Sequence, residues 1–573
     1  MKNIAARRQE LLMQANALYE AKEYARAAEA ASELLAALPE DAEMRYIRAA
    51  ALTGLERYEE ARAEIAQIRA VRPDHAGAAR QEVYIDRAEG KFCTAITHLR
   101  TLIATLERRI AAGDNIGYHT VFLASAYSLL GEALTLTGES AAAVDAFRAS
   151  SRLETTREKK AIEYSNALFA ANYLPTEQRS SYANLARGYA ALYADVSPLA
   201  SHTDAARGHD RIRIGYISPD LRTHPVGTLI RPLLALHDRT RFTVCCYANC
   251  MEDALSHGLR ASADAWHNIQ GMPAEEVAAR VRADEIDILV DLAGHTQNNC
   301  LPVLAHRPAP VQVTGIGYFN TTGLPAIDYM LSDVHVDPIG TADPSFTEEM
   351  IRLPHSHFCY VLPKELPPVA PPPSQKNGCV TFGSFNNFSK VTDDVLHLWR
   401  EVLEGVPGSR LLVKSKLFAS AEGRELAAER FTRCGIPTER VEMRPFSRDH
   451  LAEYGDMDIA LDTFPYTGGI TTCEALAMGV PVITLCGRDH GARFGESLLR
   501  NANLPELIAK DPADYVRIAY ALASSPETLC ALRMNLRAIL RGAPLMDARG
   551  YVRDVECAYR EIWERFVRAA GRM

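Results

Sequence analysis

Three residues repeat at one fixed offset near the start of the chain. Tyr24, Ala27 and Pro39 recur as Tyr58, Ala61 and Pro73, 34 positions on in each case, and LPEDAE at 38–43 corresponds to RPDHAG at 72–77. The surrounding stretch is rich in Ala, Leu, Glu and Arg and reads as helix throughout. Such a period restricts the fold sharply. One unit is too short to bury its own apolar face, so units must stack. Ala27 and Ala61 are small where paired helices cross closely, and Pro39 and Pro73 each stop a second helix. Phe92 and Ala95 keep the register for a third unit whose closing proline is missing, and residues 131–153, around Gly138, Ala143 and Phe147, read as a fourth after an insertion.

This is the period and pattern of tetratricopeptide repeats. Residues 1–153 are expected to form that domain, whose concave surface would hold a protein or peptide. Residues 154–208 read as a helical linker. The period then changes. RIRIGYIS (211–218), FTVCCYAN (242–249), IDILVDLAG (286–294), VQVTGIGY (311–318) and YMLSDVHV (329–336) are short, apolar and β-rich, with helices between several of them. That predicts a parallel α/β domain over 209–365. A Pro-rich linker at 366–377, within PKELPPVAPPPSQK (363–376), precedes a second such domain over 378–545. Its strands are VTFGSFN (380–386), RLLVKSK (410–416), DIALDTF (458–464) and PVITLCG (481–487). Residues 546–573 are expected to pack back on these domains. Two α/β domains joined this way imply a cleft between them, and ligands sit outside the carboxyl ends of such strands.

Bulk properties exclude several classes. At 573 residues the chain exceeds one core, and about 150 residues per domain gives three or four units. A net charge of −9 argues against a nucleic-acid binder. No apolar run reaches the roughly 20 residues that span a bilayer, and MKNIAARRQELLMQ lacks the apolar core of a signal peptide. Twelve scattered cysteines without a CxxC suggest neither a zinc site nor a disulfide framework. A cytoplasmic protein with reduced thiols is expected.

The densest motif is DTFPYTGGITTCEALAMGVP at 462–481. An apolar strand ends in Gly468–Gly469, and Thr471 and Thr472 then open a helix. The partial positive charge of a helix N-terminus, with free N–H groups and hydroxyls, can take a phosphate. Equally, Thr471 and Glu474 are spaced for a capping box that binds nothing. Both readings stand on this motif alone.

Taken together, the segments resemble one family, the O-GlcNAc transferases and their bacterial relatives. The matching stretches are RIRIGYISPDLRTHPVG (211–227), DLAGHT (291–296), HRPAPVQVTGIGY (306–318), FNNFSK (385–390), VPGSRLLVKS (406–415) and GGITTCEALAMGVP (468–481). The resemblance covers the whole chain in the same domain order. It implies a tetratricopeptide repeat superhelix followed by an α/β GT-B unit of two Rossmann-like domains. The implied activity is inverting transfer of GlcNAc or another hexose from a UDP-sugar to Ser or Thr of an acceptor protein recruited by the repeats. No cofactor is implied beyond the donor, UDP-GlcNAc or another UDP-hexose. Two alternatives remain: transfer of glucose from UDP-glucose to Asn, and a repeat scaffold with an inactive transferase half.

The same resemblance assigns roles. Lys390, at a strand's carboxyl end, matches the family's catalytic lysine that contacts the diphosphate, and His224 its active-site histidine. Asn387 matches a nucleotide contact. His450 and Arg448 would lie against the uracil and ribose, since a flat imidazole stacks on a base and a guanidinium reaches ribose oxygens. Gly469, Thr471 and Thr472 would take the phosphates and Glu474 the ribose hydroxyls, where the family usually has Asp. Gly317 would wall the sugar pocket. Around it, Thr314–Gly315–Ile316 and Phe319–Asn320 depart from the family pattern, which puts the identity of the sugar in question. DMD at 456–458 has the spelling of a metal-binding DxD motif but sits at the entry to a strand, with Asp458 capping or facing solvent, and no metal is expected. His295 either lines the cleft or satisfies a buried loop. His355, His357, His490 and Arg493 are taken as structural.

Overall fold

A computed structural model describes residues 2–175, 177–178, 182–199, 202, 209–340 and 346–571. Residues 203–208 of the expected helical linker lie outside the described residues. The chain forms two compact units, Met1–Thr156 with Ala419–Leu426, and Arg157–Phe418 with Ala427–Met573.

In the first unit helices pair as hairpins. Lys2–Glu20, Ala42–Gly54 and Ala76–Ala88 are each followed by a partner, Tyr24–Ala37, Tyr58–Val71 and Phe92–Ala111. The turns between partners place a left-handed residue at the repeat spacing: Lys22 (φ 61°), Glu56 (φ 61°) and Gly90 (φ 75°). Ala27, Ala61 and Ala95 are fully buried. Gly54 lies beneath the ring of Tyr24, where a Cβ would come within 2.7 Å. Pro39 and Pro73 follow the helix ends at Ala37 and Val71, whereas the third pair, lacking its proline, runs on to Ala111. A fourth pair, Ile116–Thr137 and Ser140–Leu153, turns at Gly138 (φ 87°). Helix Ile116–Thr137 corrects one expectation: by length and composition it is apolar enough to cross a membrane. Half of its apolar window is buried, and it packs against Phe92–Ala111 and Ser140–Leu153.

The second unit opens with helices Arg157–Ala171 and Tyr182–Ala191 and continues into two parallel sheets. The first contains β1 (Ile212–Ser218), β2 (Phe242–Ala248), β3 (Ala265–Asn268), β4 (Ile288–Asp291), β5 (Val311–Thr314), β6 (Tyr329–Asp333) and β7 (Glu349–Leu353), in the order β3-β2-β1-β4-β5-β6-β7. The second contains β8 (Thr381–Ser384), β9 (Arg410–Lys414), β10 (Val441–Arg444), β11 (Ile459–Leu461), β12 (Val482–Leu485) and β13 (Ile508–Ala509), in the order β10-β9-β8-β11-β12-β13. The central strands are buried on both faces and read as unbroken apolar runs. The four strands that the apolar pattern misses, β3, β7, β10 and β13, are the four sheet edges. They are short, and β3, β7 and β10 are largely half-exposed, so their apolar signal is weak. Both sheets wind the same way. The chain reverses its direction of travel between β1 and β4 and again between β8 and β11, which makes these the switch points where ligands bind.

Buried polar contacts join the two halves. Asp333, at the end of β6, accepts from His357 Nδ1 at 2.7 Å and from Ser497 Oγ at 2.7 Å. Asp337 takes His490 Nδ1 at 2.7 Å, and Arg493 Nε donates to the His335 carbonyl at 3.0 Å. Burial alone would raise the Asp333 pKa, but the hydrogen bond and charge of His357 hold it at about 2. The proline linker is pinned as well. Arg533 donates to the carbonyls of Ala370 (2.6 Å) and Met457 (2.7 Å), and Arg537 to that of Pro367 (2.8 Å). The last helix, Ala548–Ala570, returns to the first sheet beside helix Pro225–Leu236, where Glu556 accepts from His237 Nδ1 at 2.9 Å.

Two outcomes follow. Ala61→Leu adds volume where none is free, so the first unit should lose about 1–3 kcal/mol, read as a lower thermal midpoint; a midpoint equal to wild type would contradict the packing. Asp333→Asn leaves a buried imidazole without its carboxylate and should destabilise the second unit by about 3–5 kcal/mol at pH 7. The folded carboxyl titrates below its ordinary 3.8, so its contribution is complete above that value and is lost as pH falls through about 2. The gap between wild-type and variant urea midpoints should therefore narrow in acid.

Candidate active site

The switch point of the second sheet is built from the loops after β8 and β11. β11 runs into Asp462, and the chain then turns through 463–469 before helix Ile470–Ala477. Gly469 is the N-cap, with no side chain to accept from the helix, and a Cβ on it would point into open space, meeting nothing within 4 Å. Gly468 is needed for the opposite reason: a Cβ there would lie 2.6 Å from Thr472 Oγ1 and 2.9 Å from Thr471 Oγ1. The capping box does not form. Thr471 Oγ1 instead donates to Asn386 Oδ1 at 2.8 Å, and Glu474 accepts from His450 Nε2 (3.2 Å) and Tyr454 Oη (3.3 Å). Thr472 is buried under the loop, while Thr471 and Glu474 are half-buried.

Lys390 ends the turn Phe388–Lys390 that follows β8. Its Nζ donates to the Thr467 carbonyl at 2.9 Å and sits 4.0 Å from the centre of the Tyr466 ring. Burial lowers its pKa to about 8, against the pull of Asp462 in the other direction. Asn387 caps that turn by accepting from Ser389 N at 3.3 Å and is otherwise exposed. Phe385, Asn386, Tyr454, Asp462 and Thr471 line a small cavity next to these groups.

His450 begins a short helix, His450–Glu453, and its partnership with Glu474 raises its pKa. Ser447, just before it, takes a hydrogen bond from Lys414 Nζ at 2.7 Å, and Lys414 also pairs with Glu453 at 2.7 Å. Arg448 is exposed on the same loop.

In the first sheet, His224 lies beyond β1 and caps helix Pro225–Leu236, accepting from Val226 N at Nδ1 (3.3 Å). Burial lowers its pKa, opposed by Asp220 with its Oδ1 3.5 Å away. A neutral ring that accepts at Nδ1 carries its proton on Nε2, which makes the second nitrogen a donor. Gly317 follows β5 beside it: a Cβ would lie 2.0 Å from the Leu292 carbonyl and 3.1 Å from Val226 Cγ2. His295 is settled by burial. It pairs with the Thr322 carbonyl (2.8 Å) and Ser165 (2.9 Å) and satisfies the interior.

Of the two expectations for Asp458, capping or facing solvent, the structure shows the first: it holds the N–H of Ser374, which opens helix Ser374–Asn377. It is fully buried, with Oδ1 accepting from Ser374 N and Oγ and Oδ2 from Thr381 N. Asp456 pairs with Arg444 at 2.6 Å, so the two aspartates of DMD are spent on different partners. His357 and His490 lie in the join between halves, and His355 pairs with Asp554. The residues that sequence reasoning missed are Asn386, Tyr454, Asp462 and Tyr466. A signal for Asp462 existed: ILVD (288–291) and IALD (459–462) are two apolar strands that end alike in an aspartate.

The family model of glycosyl transferase family 41 matches residues 191–362 and 374–555. The chain is similar to the probable UDP-N-acetylglucosamine–peptide N-acetylglucosaminyltransferase SPINDLY of Solanum lycopersicum, at 40% identity over 410 residues, 70% of this chain and 44% of that protein. The SPINDLY of Arabidopsis thaliana is 41% identical over 410 residues, 70% of this chain and 45% of that protein. The chain therefore spans under half the length of these curated relatives. Among solved structures, a lysine-to-methionine mutant of the Thermobaculum terrenum O-GlcNAc transferase superposes with a TM-score of 0.77 at 31% identity, covering 99% of each chain. With the family model covering more than half of its residues, the chain belongs to glycosyl transferase family 41.

Proposed function

We propose that this chain transfers GlcNAc, or another hexose, from a UDP-sugar to Ser or Thr hydroxyls of a protein that its repeats recruit, with inversion and without a metal. One observation carries the reading: at the switch point of the second sheet the Lys390 ammonium is bonded to the Thr467 carbonyl, in the glycine loop that leads directly into the helix Ile470–Ala477. As the bond from the anomeric carbon to the diphosphate breaks, negative charge builds on the leaving oxygen. A fixed cation and aligned N–H groups stabilise it there. Thr471, held by Asn386, adds a hydroxyl at the same end of the helix. His450 and Glu474 form a flat, charged surface for base and ribose, with Arg448 on the adjoining loop. His224, with its proton on Nε2, donates to a phosphate or sugar oxygen. There it positions the donor or the acceptor hydroxyl. The names of the SPINDLY relatives and of the Thermobaculum enzyme support GlcNAc as the sugar. Twelve cysteines with no disulfide among the described residues support a reducing, cytoplasmic setting.

The test is a panel of nucleotide sugars with candidate acceptor proteins, read by intact mass and by nucleoside diphosphate release. UDP-GlcNAc should be consumed and the acceptor should gain one N-acetylhexosamine, with activity retained in EDTA. Consumption of UDP-glucose with Asn modification would replace this reading, and silence with every donor would favour a scaffold. Lys390→Ala should lower kcat by about 10²–10³ while the melting curve is kept; wild-type turnover in a folded variant would overturn its assignment. In the wild type kcat/KM should fall as pH rises past about 8, because the free enzyme's lysine loses its charge there. A profile flat to pH 9.5 would contradict it.

A further inference from the structure

The carboxylate of Asp462 is almost wholly buried and is bonded to the glycine loop and to Asn386. It is 2% exposed. Oδ1 accepts from Gly468 N (2.7 Å), Thr463 N (2.9 Å) and Asn386 Nδ2 (3.2 Å), and Oδ2 from Thr484 Oγ1 (2.8 Å). Gly495 admits this packing, since a Cβ there would lie 2.7 Å from Oδ2 and 2.0 Å from Thr484 Oγ1. Through Gly468 the carboxylate fixes the glycine loop, and through Asn386 it fixes Thr471.

The first sheet contains the same device. Asp291 ends β4 as Asp462 follows β11. It accepts from Gly294 N (2.8 Å) and Ala293 N (3.2 Å) in its own turn and from Thr314 Oγ1 (2.8 Å) on the next strand, β5. Both carboxyls are pushed up to about 6 by burial. They differ in their charged neighbours. The charge of Asp220 pushes Asp291 further up, whereas that of Lys390 pulls Asp462 down; Lys390 Nζ is bonded to the Thr467 carbonyl, next to the Gly468 N–H that Asp462 holds.

We propose that Asp462 is the positioning residue of this site: it shapes the glycine loop and gives Lys390 its counter-charge, while Asp291 is the structural counterpart without that second task. The proposal rests on reading Lys390 as the cation that meets the departing diphosphate. The groups facing Lys390 are Asp462 and the Tyr466 ring; those facing Asp462 are Lys390 and Tyr515, whose hydroxyl donates to the Asp462 carbonyl at 3.1 Å. The charge of Asp462 favours the ammonium, so removing it should make Lys390 give up its proton sooner.

The experiment is competitive acylation of the full chain across pH, with mass spectrometry of the Lys390 peptide giving its titration midpoint without any turnover. In Asp462→Asn the midpoint should drop by about one pH unit or more. Where transfer is measurable, KM for the donor should rise about tenfold. Asp291→Asn should leave the Lys390 midpoint at its wild-type value. Thr484→Val keeps the carboxylate but removes one donor, so Asp462 holds its own proton to higher pH and the Lys390 midpoint should fall by a smaller amount. An unmoved midpoint in folded Asp462→Asn, or an equal drop in Asp291→Asn, overturns the proposal. If Asp462→Asn does not fold, an unmoved midpoint in Thr484→Val overturns it instead. A chain that transfers no sugar yet shows these shifts would sink the functional reading and leave the Asp462 assignment standing.

Discussion

A lysine kept largely away from water governs the geometry around it. Desolvation penalises the ammonium, so Lys390 persists as a cation only because the Thr467 carbonyl, the face of Tyr466 and the field of Asp462 surround it. All three come from one loop, 462–467, between β11 and the helix that starts at Ile470. That loop can be so compact because Gly468 brings the helix hydroxyls close and Gly495 lets the next helix approach the carboxylate. The shape of the glycine loop and the placement of the cation are therefore one structural problem, solved by one turn.

The same turn is tied to the other half of the molecule. Tyr466 packs against Phe319, from the loop after β5, and against Tyr173, just past the helix Arg157–Ala171, with ring centres 5.3 Å apart in both cases. Asn320 Nδ2 donates to Asn172 Oδ1 at 3.1 Å, and Asn172 Nδ2 to Tyr318 Oη at 3.1 Å. The segment that departs from the family pattern around Gly317 is thus braced by the residues that follow that helix. Phe319 and Asn320 in this wall have packing and hydrogen-bond partners of their own.

Much of this was legible in the sequence where a periodic constraint acts. The 34-residue offset fixed the helix pairs because a register error would expose Ala27 or Ala61, and the central strands announced themselves as apolar runs. Lys390, Thr471 and the glycine pair were legible because their motif is local. The edge strands were not, since half-exposed residues carry no clear alternation. Asp462 escaped because a buried carboxylate is identified by its partners, and Asn386, Thr484 and Lys390 are distant in sequence. The partners of Asp458 were hidden in the same way, since Ser374 and Thr381 lie more than 70 residues earlier.

Arg533 and Arg537 grip the proline-rich connection through its carbonyls, and Arg533 is fully buried. A tether held in that manner is no swinging hinge. Relative motion of the two halves is then left to small sliding at the join where Asp333 meets Ser497 and Asp337 meets His490. Such breathing is a shear of packed surfaces, limited in reach by how far those hydrogen bonds can stretch.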